Sequence, residues 1–191
     1  MARVISFSTK FQSTHPRKSE QTYFVEKIWT SFREMVHFKP NEPTHFYTNP
    51  EELFELNKNL SYDVISDFIR QIGNYTDKFE PKHHTIRQGY RWKVGDKFSP
   101  RVWSGKPYAS KQITIAPDIE IKKIWNVDIF MLEGRLHAGI PEANNMHRLL
   151  PLNQIATNDG LTFEDMRDWF NVKENKPFNG QIICWNENIN Y

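Results

Sequence analysis

The sequence predicts an α+β domain built on a mainly antiparallel sheet, either open or closed into a small barrel, with flanking helices. Three observations predict it. The order of patterned segments is strand, helices, several strands, helix, strand. Aromatic residues make up 14% of the 191 residues, and each buried ring removes about 150–250 Å² from water, so the chain can build a core although only 38% of it is apolar. The length suits a single domain spanning residues 1–191.

The elements follow in order. Arg3 to Phe7 alternates and is β-branched, as a first strand is. Phe11-Gln12-Ser13-Thr14-His15-Pro16-Arg17 is a polar loop. From Gln21 to Val36, Phe24, Ile28, Phe32 and Met35 recur at helical spacing, and Pro40 and Pro43 break that helix. Asn49-Pro50-Glu51-Glu52 combines an N-cap, a first-turn proline and acids that suit the helix dipole. A further helix begins at Ser61, buries a stripe of Val64, Ile65, Phe68, Ile69 and Ile72, and ends at Gly73-Asn74.

After Lys82 the pattern becomes extended. His84 to Arg87 reads as a short strand, and Val94-Gly95-Asp96-Lys97 as a turn. Phe98 to Trp103 is a strand that Pro100 demotes to an edge or a bulge. Ser104 to Pro107 is a turn; Lys111 to Ala116 and Ile119 to Ile129 are strands. Leu132 to Asn158 has no clear period. Thr162 with Asp165 forms a capping pair before a helix from Phe163 to Phe170, and Gly180 to Trp185 is a final apolar strand.

Composition excludes several classes. Disordered chains are poor in aromatics, and the 8 Gly and 11 Pro show no period. The single cysteine, Cys184, excludes an internal disulfide framework and a cysteine-rich zinc site. No apolar run is long enough to span a membrane, and Met1 to Phe7 does not read as a signal peptide. The expectation is a cytoplasmic protein without membrane attachment or cofactor.

The net charge of +2 is unevenly distributed. Residues 82 to 111 carry eight Lys or Arg against one acid, Asp96, a net +7; the other 17 basic and 22 acidic residues give −5. Tyr90, Trp92, Trp103 and Tyr108 interleave with the cations. A solvated surface hairpin accounts for the charge alone; charge with aromatics suits a phosphate-bearing ligand whose bases stack.

Chemistry-bearing residues cluster in the same segment. His83 and His84 are strand neighbours and point to opposite faces, so they do not share a metal, and His137 and His147 lack helical zinc spacing. No metal is expected. Lys82 could activate the Thr85 hydroxyl if burial lowers its pKa. The i, i+3 spacing opposes this within a strand, unless Glu80-Pro81 keeps Lys82 in the preceding loop. Arg87 and Arg91 could clamp a phosphate. Trp103-Ser104-Gly105-Lys106-Pro107-Tyr108 offers a stacking surface, a hydroxyl and a cation. With Lys93, Arg101 and Lys111, these are the candidate binding residues.

Three segments resemble the ASCH domain, a branch of the PUA-like superfamily. They are Ile5-Ser6-Phe7 followed by Phe11 and a helix; Lys82 to Arg87 followed by Trp92-Lys93-Val94-Gly95-Asp96; and Asn158-Asp159-Gly160-Leu161-Thr162, a short helix and the strand Phe178 to Trp185. The match covers about 110–120 residues, a domain-sized share. Residues 31–79 would be a helical insertion that could dock a protein partner. The resemblance implies a PUA-like β-barrel with a ligand cleft and a partner that is RNA or a modified nucleoside or nucleotide. For some members it implies an amidohydrolase that removes acetyl from N(4)-acetylcytidine, for others a ribonuclease. Carried over, Lys82 would be the base, Thr85 the nucleophile and Asp159 the acid or orienting group. The amidohydrolase pattern has glutamate where this chain has Asp159, and smaller residues than His83 and His84. RNA or nucleotide binding is the leading expectation, with hydrolysis and protein docking as alternatives.

Overall fold

The computed structural model describes residues 2–36, 50–72 and 79–191. The elements are β1 (Arg3–Ser6), α1 (Phe24–Val36), α2 (Pro50–Leu56), α3 (Tyr62–Ile72), β2 (His84–Gln88), β3 (Lys97–Trp103), β4 (Gln112–Thr114), β5 (Ile119–Glu120), β6 (Lys123–Leu132), β7 (Arg135–Pro141), β8 (His147–Leu149), α4 (Leu152–Asn158), α5 (Phe163–Phe170) and β9 (Phe178–Cys184). The fold is α+β, and among the described residues the only parallel strand pair is β1–β3.

The strands form two sheets and do not close into a barrel, which corrects the small β-barrel expected from the sequence and its resemblance. One sheet has the order β1-β3-β4, with β5 also paired to β3; the other runs β2-β9-β6-β7-β8. β1, β4 and β5 are four, three and two residues long. Strands that short carry too few ladder bonds to reach round to β2. Side chains join the sheets instead: Gln181 on β9 accepts from the Trp92 amide at 3.0 Å and donates to its carbonyl, and Arg87 on β2 donates to the Ser6 carbonyl on β1.

Pro100 is a second correction. It lies in β3, the central strand of its sheet, opposite Ile5. β4 covers residues 101–103 of β3 and β5 covers 97–98. Pro100 occupies the gap between them, where no ladder donor is required, and its carbonyl still accepts from Ile115.

The stretch without a clear period holds β7, β8, a 3-10 turn at Ala143–Asn145 and α4. Glu133 and Gly134, both at positive φ, make the two-residue turn between β6 and β7, where Leu132 pairs with Arg135.

Over residues 24–32, α1 is buried nearly all round: Phe24, Val25, Ile28 and Trp29 join the core, and Glu26, Thr30 and Ser31 are buried with them. The proposed insertion boundary at residue 31 therefore falls inside α1. α2 and α3 lie within residues 31–79 and pack inward through Leu53, Ile65 and Phe68. Asn57 ties them to β4 by donating to the Thr114 carbonyl and accepting from its amide. Tyr62 is exposed and stacks on Phe54. The helix breaks expected at Pro40 and Pro43 and the stop at Gly73-Asn74 lie outside the described residues. Among the described residues, no helix is long and apolar enough to cross a membrane.

Candidate functional site

A buried ion pair sits where the end of α4 meets the start of β2. α4 stops in a Schellman motif: the Leu161 amide donates to the Ala156 carbonyl, the Gly160 amide donates to the Thr157 carbonyl, and Gly160 takes φ +75°. This turn aims Asp159 inward. A Cβ on Gly160 would lie 3.3 Å from the Lys82 Cβ and 3.2 Å from the Lys27 Cδ, so the loop settles closely on both stems. Lys82 precedes β2, held by its amide on the Lys27 carbonyl. Its ammonium donates to Asp159 Oδ1 at 2.7 Å and to the Asp159 carbonyl, and stands 4.3 Å from the Phe24 ring centre.

Burial governs the electrostatics. Lys82 is 1% exposed, and burial pushes its ammonium down to about 8 although Asp159 opposes the shift. Burial also pushes the Asp159 carboxyl up, but the Lys82 charge and the His84 N–H outweigh it and hold the group below its usual range. His84 extends the cluster. Its Nδ1 is 3.5 Å from Asp159 Oδ1, and its Nε2 is 2.7 Å from the Tyr191 hydroxyl. Asn158 donates to that hydroxyl, which leaves the Tyr191 proton for Nε2 and places the imidazole proton on Nδ1, facing Asp159. Burial lowers the pKa of His84, and His83 falls to about 4 for the same reason.

Of the three expected catalytic residues, the fold pairs Lys82 with Asp159. The shorter carboxylate reaches the lysine without a glutamate. Thr85 is buried in β2 opposite Ile183, and the hydrogen bonds of Lys82 go to Asp159, not to the Thr85 hydroxyl.

An open cleft of about 720 Å³ lies on the other side of Phe7. The loop after β1 forms one wall with Ser6, Phe7, Thr9 and Lys10, and the tip after β3 forms the other with Trp103, Lys106 and Tyr108. Tyr108 is 91% exposed, held at φ +63°, with its ring 5.3 Å from Trp103. Beneath the floor, the Arg87 guanidinium is 5.3 Å from the Phe7 ring centre, and Lys82 is 6.0 Å from it. Arg87 donates one bond to the Ser6 carbonyl at 2.8 Å, while its buried Nε–H has no partner among the described residues.

The other candidates separate. Arg91 and Lys93 stand at the opposite end of β1, where Arg3 bonds the Arg91 carbonyl and Asp96 accepts from the Lys93 amide. Arg101 turns its Nε to Ser99 on the same strand. Ser104 and Lys111 close the base of the tip through a backbone bond. The +7 segment thus does not form one basic face.

A larger cleft, about 970 Å³, runs beside α5. Its cations are committed: Arg17 pairs with Asp165 at 2.7 Å, and Lys27 donates to the Gly160 carbonyl. Among the described residues no three His, Cys, Asp or Glu side chains gather to hold a metal.

Sequence reasoning missed Lys10, His84 and Tyr191 as members of these sites. The polar loop after the first strand was the one available signal, since a loop following a strand end is a common place for ligand contacts. Comparison with known proteins finds no matching family model, no matching curated protein and no matching solved structure.

Proposed function

We propose that this chain is an ASCH-like, PUA-like protein that binds RNA or a nucleotide in the cleft between the loop after β1 and the tip after β3. The pairing of Trp103 with the exposed Tyr108, beside Lys10 and Lys106, carries the reading. Trp103 and Tyr108 offer faces for a base, and Lys10 and Lys106 offer charge for phosphate. A titration of single-stranded RNA followed by tryptophan fluorescence tests it. Trp103→Ala and Tyr108→Ala should each weaken binding about tenfold. Unchanged affinity in both would sink the reading.

A second reading, hydrolysis of acetyl from N(4)-acetylcytidine or cleavage of RNA, is favoured by one observation, the Lys82–Asp159 pair. A lysine with a pKa of about 8 is neutral in about a tenth of molecules at pH 7, as a base must be. Attack by Thr85 requires Lys82 to leave Asp159, take the hydroxyl proton and admit substrate past Phe7. Cytidine release, or RNA shortening, that is lost in Lys82→Ala supports it; binding without turnover removes it.

A further inference from the structure

One buried nitrogen at the ion pair makes no hydrogen bond among the described residues: His84 Nδ1. The His84 side chain is 0% exposed, and its Nδ1 lies 3.5 Å from Asp159 Oδ1. A formed N–H···O bond spans about 2.7–3.2 Å. The same oxygen accepts from the Lys82 ammonium at 2.7 Å. Two donors therefore address one oxygen, and the imidazole is the one held off. A buried N–H without an acceptor is costly, and in a native fold such a group calls for an explanation.

The rest of the ring is fixed. Nε2 lies 2.7 Å from the Tyr191 hydroxyl, and the Tyr191 ring stands edge-on to both His84 and Trp125. Asn158 donates to that hydroxyl at 2.8 Å. Lys123 on β6 secures the chain before Tyr191 by donating to the Ile189 carbonyl and to the Asn190 side chain. These contacts keep the imidazole proton on Nδ1, facing the carboxylate.

Hydrolysis gives that donor a use. Attack by Thr85 requires Lys82 to lose its proton and turn from Asp159. The carboxylate, with 8% of its side chain exposed, then loses its bonded cation inside the protein. A buried charge needs a replacement donor, and His84 Nδ1–H already stands beside the same oxygen.

We infer that His84 is a positioning residue that takes over Asp159 when Lys82 turns to Thr85, its Nδ1–H closing on Oδ1, and that Tyr191 holds the imidazole in the tautomer this needs. No proton leaves His84; the carboxylate exchanges one donor for the other. The inference rests on the hydrolase reading and adds two residues to its site.

The test is nitrogen-15 NMR of the wild-type histidines as pH rises from about 7 to 9.5, across the point near 8 where Lys82 releases its proton. The other titratable groups facing His84 keep their charge in that window. His83 titrates at about 4 and Cys184 at about 11; burial raises Tyr191, and Asp159 stays below its usual range. The His84 Nδ1–H signal should move downfield as Lys82 loses its charge, with Nε2 unprotonated throughout. Lys82→Met should show the closed bond already at neutral pH. It should also raise the proton affinity of His84 about tenfold or more, because an unpaired carboxylate then lies beside it. The wild-type titration decides the matter if that variant does not fold. Tyr191→Phe keeps the ring and removes the hydroxyl. It should admit the Nε2–H tautomer and, in a turnover assay with N(4)-acetylcytidine, lower kcat with KM little changed. A His84 signal that ignores both the pH and Lys82→Met overturns the inference, whatever the turnover, as does a wild-type His84 protonated on Nε2. A signal that moves in a protein without turnover keeps the exchange of donors and removes the hydrolase reading.

Discussion

The ammonium of Lys82 and the carboxylate of Asp159 meet at 2.7 Å with 1% and 8% of their side chains exposed. Removing one partner leaves the other charged and buried, which costs about 3–5 kcal/mol. Lys82→Met and Asp159→Asn should each destabilise by that order in urea denaturation. The double variant should lose less than the sum of the two. Full additivity would mean that the pair does not couple.

Alkaline pH offers an independent check. Unfolded Lys82 keeps its proton to its ordinary value of 10.5, whereas the folded residue releases it near 8. Between these values the unfolded chain binds more protons, so this group makes stability rise with pH. Cys184, pushed by burial to about 11, and Tyr191, pushed up by burial, act in the opposite sense. Comparison with Lys82→Met isolates the lysine: from pH 8 to 10.5 the wild-type slope should exceed the variant's by up to one proton. Equal slopes would contradict the assignment.

On the acid side burial lowers both His83 and His84, and holds His83 neutral to about pH 4. An unfolded histidine takes a proton near its ordinary 6.5. The unfolded chain therefore gains protons first, and stability falls as pH drops from 6.5 to 4. The His83 Nδ1 is 3.1 Å from the Asn186 side-chain amide. His83→Gln should flatten that part of the curve, as followed by circular dichroism during denaturation at each pH.

The basic segment separates into cations at the cleft and cations remote from it. Lys106→Ala should reduce the slope of log affinity against log salt for single-stranded RNA by about 0.7, the loss of one phosphate contact. Arg91→Ala should leave the slope unchanged, because Arg91 stands at the far end of β1. Equal losses in the two variants would show that binding follows overall charge and not the cleft.

Gly180→Ala tests how tightly β2 is held. A Cβ there would fall 2.2 Å from the Arg87 carbonyl oxygen, a backbone atom held in β2, and 2.8 Å from Phe178 Cε1. The variant should lose about 1–3 kcal/mol, measured by thermal unfolding.

Much of the fold was legible where a local rule dominates. Thr162 accepts from the Asp165 amide as the capping pattern predicts, and α5 runs from Phe163 to Phe170 as expected. β7 and β8 were not legible, because Gly139 and Pro141 interrupt the apolar pattern of β7, β8 has only three residues, and the turn at Glu133-Gly134 lacks the usual asparagine or aspartate. Pro100 misled because the rule against proline in central strands assumes a continuous partner, and β4 and β5 leave a gap there. At the site, the nearness of Lys82 and Asp159 came only from the resemblance; spacing alone argued against Lys82 meeting Thr85, and the two make no bond. Glu26 was hidden by its helix. The apolar stripe of α1 suggested one buried face, and a glutamate off that stripe reads as solvated. The fold buries several faces, so Glu26, Thr30 and Ser31 are inside.

The parallel pairing of β1 with β3 also sets an order of events during synthesis. Arg3 pairs with Phe98 and Ser6 with Arg101, so the strand that leads into the cleft floor is made first and docked late. At about 5–20 residues per second, on the order of 5–20 s separate the two strands on the ribosome. Val4, Ile5 and Phe7 have no strand partner during that interval. The first strand therefore waits for β3, whereas every residue that lines the cleft has been made by residue 108, before β6 to β9 exist.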